Sequence, residues 1–286
     1  MRKMGRNRCF SQYLLNVGIL NANNISEVLP KAACAASQLH VLAIQQHLLS
    51  ETQVGELSGE EDGARALEDS KMLSGSQIDG LKKAVPNRDA CIAQVVLDER
   101  LADLKQIDHC FRAYDNDEVH PIREAVETIL HEHEDMNPVD DIYGEYMEML
   151  VGALQRFMQT DAVILPEHIA PDTDGTHFVS QSMNGQISVA AAILAKDKVF
   201  LDMASRYSGE ELTEVDELAE DSLAEFINVL NGLYIVNLSG RGLDMDLDMP
   251  KYGQNVSPMA SSMIAVRVVA DFGAFVVYLA EDEFIY

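Results

Sequence analysis

Tryptophan is absent from this 286-residue chain, and aromatic residues make up only 6% of it. A core short of large rings must be filled by aliphatic side chains. With 47% hydrophobic residues the supply is ample for ordered domains. Basic residues are scarce too, 21 Lys and Arg standing against 47 Asp and Glu for a formal net charge of -26. The deficit is uneven: residues 1–115 hold 13 basic and 15 acidic side chains, leaving 8 and 32 for residues 116–286. So acidic a surface repels nucleic acid and anionic lipid, and neither is expected as a partner.

Only four cysteines occur, Cys9, Cys34, Cys91 and Cys110, with no Cys-x-x-Cys pair and no zinc-ligand spacing. They read as buried thiols in a reducing cytoplasm. No apolar run reaches the length of a membrane span. The basic start (Arg2, Lys3, Arg6, Arg8) has the charge of a secretion leader, but Asn16, Gly18 and Asn21 interrupt the apolar run behind it. A cytoplasmic protein is expected. Phosphate-binding glycine loop, nucleophile elbow and zinc motif are all missing. His131 and His133 stand two apart near the end of a predicted helix starting at Pro121, so they point to different faces and read as part of a solvated charged end. Asp244, Asp246 and Asp248 alternate with Leu and Met without the central Gly and terminal Glu of a calcium loop, so residues 243–249 read as a strand with one acidic face. No metal site and no cofactor is expected in this chain.

What is present begins with a repeat. Phe10, Leu14, Ile19-Leu20 and Ile25 share their spacing with Leu39, Ala43, Leu48-Leu49 and Val54, then with Gly63, Leu67, Met72-Leu73 and Ile78, and finally with Ile92, Val96, Leu101-Ala102 and Ile107. The third unit starts 53 residues after the first, and the fourth 53 after the second. That equality argues for tandem duplication of a helical pair. Residues 1–115 are expected to be an all-helical repeat module, and 116–137 a linker helix beyond the polar break at Tyr114–Asp117. The unit resembles, in packing pattern, the helical repeats at the N-terminus of type II secretion and type IV pilus ATPases, where an Arg-Leu-Gly can grip cyclic di-GMP. Here Cys9-Phe10-Ser11 stands at that place with no aligned Arg to meet a phosphate. Docking is the expected role.

The second half turns on one predicted helix, Val215 to Tyr234. Ala219, Leu223, Phe226, Ile227, Leu230 and Tyr234 form its core face. On the opposite side, at about 100° per residue, Asp221, Glu225, Asn228 and Gly232 fall within roughly 60° of one another. Asn and Gly inside a helix cost stability, so this stripe asks for a reason beyond helix formation. The pattern recurs 80 residues earlier as Asp141, Glu145, Glu148 and Gly152, with Glu148 in place of the Asn and Pro171 following. Alternating apolar runs follow each helix, Val179 to Leu194 turning at Asn184-Gly185 and Ile264 to Leu279 turning at Phe272-Gly273. The half looks internally duplicated.

Asp221-x3-Glu225-x2-Asn228, followed by Pro250 and Gly253, resembles the signature of the CheC/CheX-type chemotaxis phosphatases. The gap from Val229 to Met249 is 21 residues, one short of the family's usual spacing. The resemblance implies an α+β chain, the helical repeats being followed over 138–286 by a CheX/CheC-like domain of antiparallel sheet packed with helices. It further implies a phosphatase acting on the aspartyl-phosphate of a response-regulator receiver (CheY-like). In that reading Asn228 orients the attacking water and Glu225 pairs with the receiver's lysine. Asp221, Gly232 and Pro250 support the site, Mg2+ belongs to the receiver, and Asp141, Glu145 and Glu148 mark a degenerate copy. Family members commonly dimerise through their sheets, a role the terminal Phe284-Ile285-Tyr286 is placed to serve. The alternative is a non-catalytic signalling scaffold that docks a receiver, or secretion or pilus components, through its helical repeats.

Overall fold

The computed structural model of the chain describes residues 9–35, 38–57, 63–115, 119–131, 142–166 and 176–286. The chain is α+β, with helices first and an antiparallel sheet packed with helices after them. Described residues up to Pro121 form one compact unit, and Ile122–Tyr286 another.

The first unit is helical: α1 (Phe10–Asn16), α2 (Ala22–Cys34), α3 (Leu39–Gln45), α4 (Glu51–Leu57), α5 (Gly63–Ser70), α6 (Gly75–Lys83), α7 (Arg88–Asp98) and α8 (Leu104–Tyr114). Each sequence unit is a pair of these helices, and the turn between them is built the same way every time. The first helix of each pair ends at a left-handed residue at one fixed position, Gly18, His47, Lys71 or Arg100, with φ of 77°, 54°, 57° and 57°. Three residues later comes a capping side chain, Asn21, Ser50, Ser74 or Asp103. Each exchanges hydrogen bonds with the third residue beyond it, Asn24, Gln53, Gln77 or Gln106. Between these polar marks Leu20, Leu49 and Leu73 are buried, and Phe10 stacks on Phe111 with ring centroids 4.5 Å apart. Cys9, Cys91 and Cys110 are buried, whereas Cys34 is exposed. At about 100° per residue Cys34 lies half a turn from buried Ile25, which is why the expected burial fails there.

The second unit holds α9 (Pro121–His131) from Ile122 onward, then α10 (Ile142–Phe157), β1 (Ala162–Leu165), β2 (His177–Gly185), β3 (Ser188–Ala195), α11 (Asp197–Ser208), α12 (Glu217–Ser239), β4 (Met245–Leu247), β5 (Lys251–Gln254), β6 (Met263–Ala270) and β7 (Gly273–Ala280). The strands form one antiparallel sheet in the order β1-β6-β7-β3-β2-β4, with β5 also paired to β2. Exchanging the set α10, β1, β2, β3 with the set α12, β4/β5, β6, β7 and reading from the other edge leaves this order unchanged. The two helices lie side by side, Tyr146 meeting Tyr234 edge-on at 5.2 Å and the Tyr234 hydroxyl donating to the Ile142 carbonyl at 2.8 Å. Met147, Leu150, Leu154, Phe226, Ile227 and Leu230 make up their buried face. On the other face of the sheet, small Ala190, Ala192, Ala265 and Ala280 leave room for Phe178, Tyr278 and Phe284.

Helix α12 begins where Asp216 accepts the Ala219 amide at 3.0 Å and runs past the expected end at Tyr234, because Leu238 still faces the core. The first hairpin turns at Gln186-Ile187, not at Asn184-Gly185, which stay in β2. Gly185 is needed there for another reason: a Cβ would lie 2.2 Å from the Asp244 carbonyl oxygen of the segment leading into β4. The terminal residues do not form a sheet edge. Phe284 is buried, Ile285 exchanges backbone bonds of 2.9 Å with Met259, and the Tyr286 ring occupies the space a Gly253 side chain would need.

Candidate functional site

The ladder along β2 is interrupted once. β5 pairs with His177–Ser180 and β4 with Met183–Gly185, so Gln181 and Ser182 face the irregular residues Asp248, Met249 and Pro250. Pro250 has no amide hydrogen to give a ladder and is tolerated where the ladder is broken. The irregular segment, still tied to β2 by the Asp248 amide donating to the Ser182 carbonyl at 3.0 Å, lies opposite α12. Between them opens a groove of about 560 Å³, lined by Asp221, Glu225 and Asn228 from the helix and by Leu247, Asp248 and Pro250 across from it.

Three of the residues singled out from the helix and the distant Pro250 thus share one groove. Asp221 and Glu225 are exposed, while Asn228 is half-buried at its inner end. The Asn228 Nδ2 lies 3.4 Å from a Glu225 carboxylate oxygen. Tyr207 borders this region, and its phenol is pushed up by burial first and by the Glu225 carboxylate second. Gly232, one turn on, does not line the groove: a Cβ there would meet only Leu247 at an ordinary 3.8 Å. Met249, on the groove's far wall, is 84% exposed.

Beneath the groove runs a chain of buried amides. Gln181 Nε2 donates to Asn228 Oδ1 at 2.9 Å and to the Asp248 carbonyl at 2.8 Å. Asn231 Nδ2 donates to Gln181 Oε1 at 2.9 Å, and the Tyr146 hydroxyl donates to Asn231 Oδ1 at 2.9 Å. Asn184 Nδ2 holds the Asp248 carboxylate at 2.7 Å. Gln181, Asn231 and Tyr146 were not candidates from sequence. A signal existed, since Gln181 falls between Val179 and Met183 on the core side of an alternating strand, where a lone amide needs a partner.

The first-copy stripe is arranged differently. Glu148 pairs with Arg123 of α9 at 2.8 Å, and Glu145 faces both Arg123, at 3.9 Å, and Arg241. Both carboxylates are largely covered, at 18% and 21% exposure for Glu145 and Glu148. Asp141 and Pro171 lie outside the described residues. Among the described residues no group of His, Cys, Asp or Glu is arranged to hold a metal ion, and no helix is long and apolar enough to cross a membrane.

Residues 178–266, which include the whole groove, match the family model of the chemotaxis phosphatase CheX. No curated protein matches the chain. Among solved structures, the chemotaxis protein CheX from Desulfovibrio desulfuricans aligns at 14% identity over 50% of this chain and 99% of its own, with a TM-score of 0.42. CheX from Vibrio vulnificus aligns at 17% identity over 50% and 98%, with a TM-score of 0.43. The CheX–CheY–BeF3–Mg2+ complex from Borrelia burgdorferi aligns at 16% identity over 50% and 98%, with a TM-score of 0.41. The resemblance read from the Asp-Glu-Asn-Pro pattern is therefore shown over residues 178–266.

Proposed function

From that family match, we propose that the α12 groove hydrolyses the aspartyl-phosphate of a CheY-like receiver domain. The observation that carries the reading is the juxtaposition of Glu225, Asn228 and Pro250 at one groove, inside the matched residues. An i, i+3 pair puts its Cβ atoms about 5–6 Å apart, so both side chains enter one small cleft of a partner. Glu225, at the exposed mouth, pairs with the receiver's lysine. Asn228, deeper, places its carboxamide beside the phosphoryl group. There its outward Nδ2 donates to the reacting centre, and the second lone pair of Oδ1 accepts from the attacking water. The water oxygen bonds to phosphorus as the bond to the receiver's aspartate oxygen breaks, releasing inorganic phosphate and a free carboxylate. Positioning and electrostatics dominate such transfers, so neither side chain has to act as an acid or base. Magnesium stays with the receiver.

The Arg123 and Arg241 pairs support one working site per chain. A carboxylate in the Asn place repels the phosphoryl group, and here both carboxylates are already held by guanidinium groups. The complex itself is testable: a receiver loaded with beryllofluoride and Mg2+ is expected to bind the parent and to lose affinity for Glu225→Ala, measured by calorimetry. Equal binding by both proteins removes the docking role of Glu225.

A further inference from the structure

The half-buried amide of Asn228 has two ends of similar shape and opposite chemistry, and only one orientation places a donor in the groove. Which end faces outward is settled by its neighbours. A backbone carbonyl only accepts, so the Gln181 atom 2.8 Å from the Asp248 carbonyl must be Nε2. The same nitrogen lies 2.9 Å from Asn228, which must then present Oδ1 to it and turn Nδ2 toward the groove. The opposite end of Gln181, Oε1, then accepts from Asn231 Nδ2, which leaves Asn231 Oδ1 to accept from the Tyr146 hydroxyl. Gln181, Asn231 and Tyr146 are all at most 2% exposed, so water does not compete for the bonds among these three.

We infer that Gln181 is a positioning residue: through its bonds to Asn228 and to the Asp248 carbonyl it fixes the polarity of the Asn228 amide and ties α12 to the segment carrying Pro250. The inference rests on the phosphatase reading of the groove. It adds to the reaction a residue from β2 that touches no substrate and whose whole effect passes through Asn228. The two bonds from one NH2 group also set the distance between the groove's walls, so an altered Gln181 changes how the phosphoryl group is met and not whether the receiver docks. Glu225 at the mouth is untouched.

The experiment compares receiver dephosphorylation, and binding of a beryllofluoride-loaded receiver, for the full chain and its Gln181→Met, Gln181→Glu and Asn228→Ala variants. Gln181→Met keeps the length and loses every hydrogen bond; kcat is expected to fall about tenfold or more with receiver affinity unchanged. Gln181→Glu is the sharper variant, because a carboxylate only accepts and would draw Asn228 Nδ2 inward, reversing the amide. Its activity relative to the parent is expected to rise as pH falls from about 7.5 to about 5.5, since burial raises a carboxyl's pKa and the protonated form regains a donor. In the Asn228→Ala background neither Gln181 change is expected to lower kcat further. Parent-like kcat in Gln181→Met alongside a dead Asn228→Ala overturns the inference and leaves the groove's reading intact. Full activity in Asn228→Ala sinks that underlying reading instead. Should neither Gln181 variant fold, Gln181→Asn, one methylene too short to reach both Asn228 and the Asp248 carbonyl, has to lower kcat without weakening binding; parent turnover in it overturns the inference as well.

Discussion

Replacing Asn228 by Ala separates stability from chemistry at the point where the two are closest. The change removes the acceptor of one hydrogen bond, at 2.9 Å from Gln181 Nε2. That nitrogen keeps the Asp248 carbonyl at 2.8 Å through one hydrogen while the other loses its acceptor, so the loss should be about 1–3 kcal/mol. Against it stands the better helix propensity of Ala, worth about 0.5 kcal/mol in a helix interior. The net cost of about 0.5–2.5 kcal/mol corresponds to a shift of roughly 1–10 °C in melting temperature for a domain of this size. The effect on catalysis is of another order. Without the carboxamide the water loses its orientation, and turnover should fall on the order of a hundredfold. Thermal melting of the variant, receiver binding and phosphate release under multiple turnover read the three quantities apart. A variant that melts with the parent, binds with the parent and still releases phosphate at the parent rate would refute the water-orienting role.

Reversing charge at Glu225 with Lys should weaken receiver binding more than Glu225→Ala does, with a salt dependence of opposite sign, because a like charge then meets the receiver's lysine; calorimetry at two ionic strengths decides it. A fragment from Asn116 onward should stay folded and keep full turnover on a free receiver, since the groove and its supporting amides lie within Ile122–Tyr286. Loss of turnover in a fragment with a parent-like circular dichroism spectrum would assign the helical unit a part in catalysis. The N-terminal unit, where Cys9-Phe10-Ser11 stands in place of Arg-Leu-Gly, should give no calorimetric signal with cyclic di-GMP, and a saturable heat would contradict this. His40 is held below its ordinary pKa by burial, opposed by the Asp98 carboxylate, so the folded state prefers the neutral ring. Below the unfolded histidine pKa the unfolded chain binds the extra proton, and stability conferred at neutral pH is lost as pH falls. His40→Gln should lessen that acid loss, seen as denaturation midpoints that converge between about pH 7.5 and about pH 5 less steeply than the parent's; identical pH dependence would remove His40 from the account.

The parts legible in the sequence were those with a local cause. The repeat of residues 10–115 is visible because each turn needs a left-handed residue, a cap and flanking apolar positions at fixed offsets, and Asn21, Ser50, Ser74 and Asp103 satisfy one geometry. The α12 stripe shows because Asn228 and Gly232 contradict helix propensity. The groove's far wall was reached only through Pro250, a residue whose place in a strand region is itself a break. What stayed hidden depends on pairing across the fold. Gln181 becomes meaningful only once β4 and β5 leave a gap opposite it, and Asn231 only once Tyr146 of α10 lies beside α12. The Asn184-Gly185 pair misplaced the hairpin tip by competing with a tertiary demand, the close approach of Asp244 to Gly185. The covering of Glu145 and Glu148 likewise comes from Arg123 and Arg241, far away in the chain.

The most direct measurement of the central claim is phosphate release from a panel of phosphorylated receiver proteins of the same genome, each with Mg2+, in the presence of catalytic amounts of this chain. The account predicts that at least one receiver loses its phosphoryl group faster than it does alone, in proportion to the amount of chain added, and that Asn228→Ala abolishes the acceleration. Receivers that bind the chain, yet whose phosphoryl groups decay at their intrinsic rates throughout, would contradict it and leave the groove a docking surface.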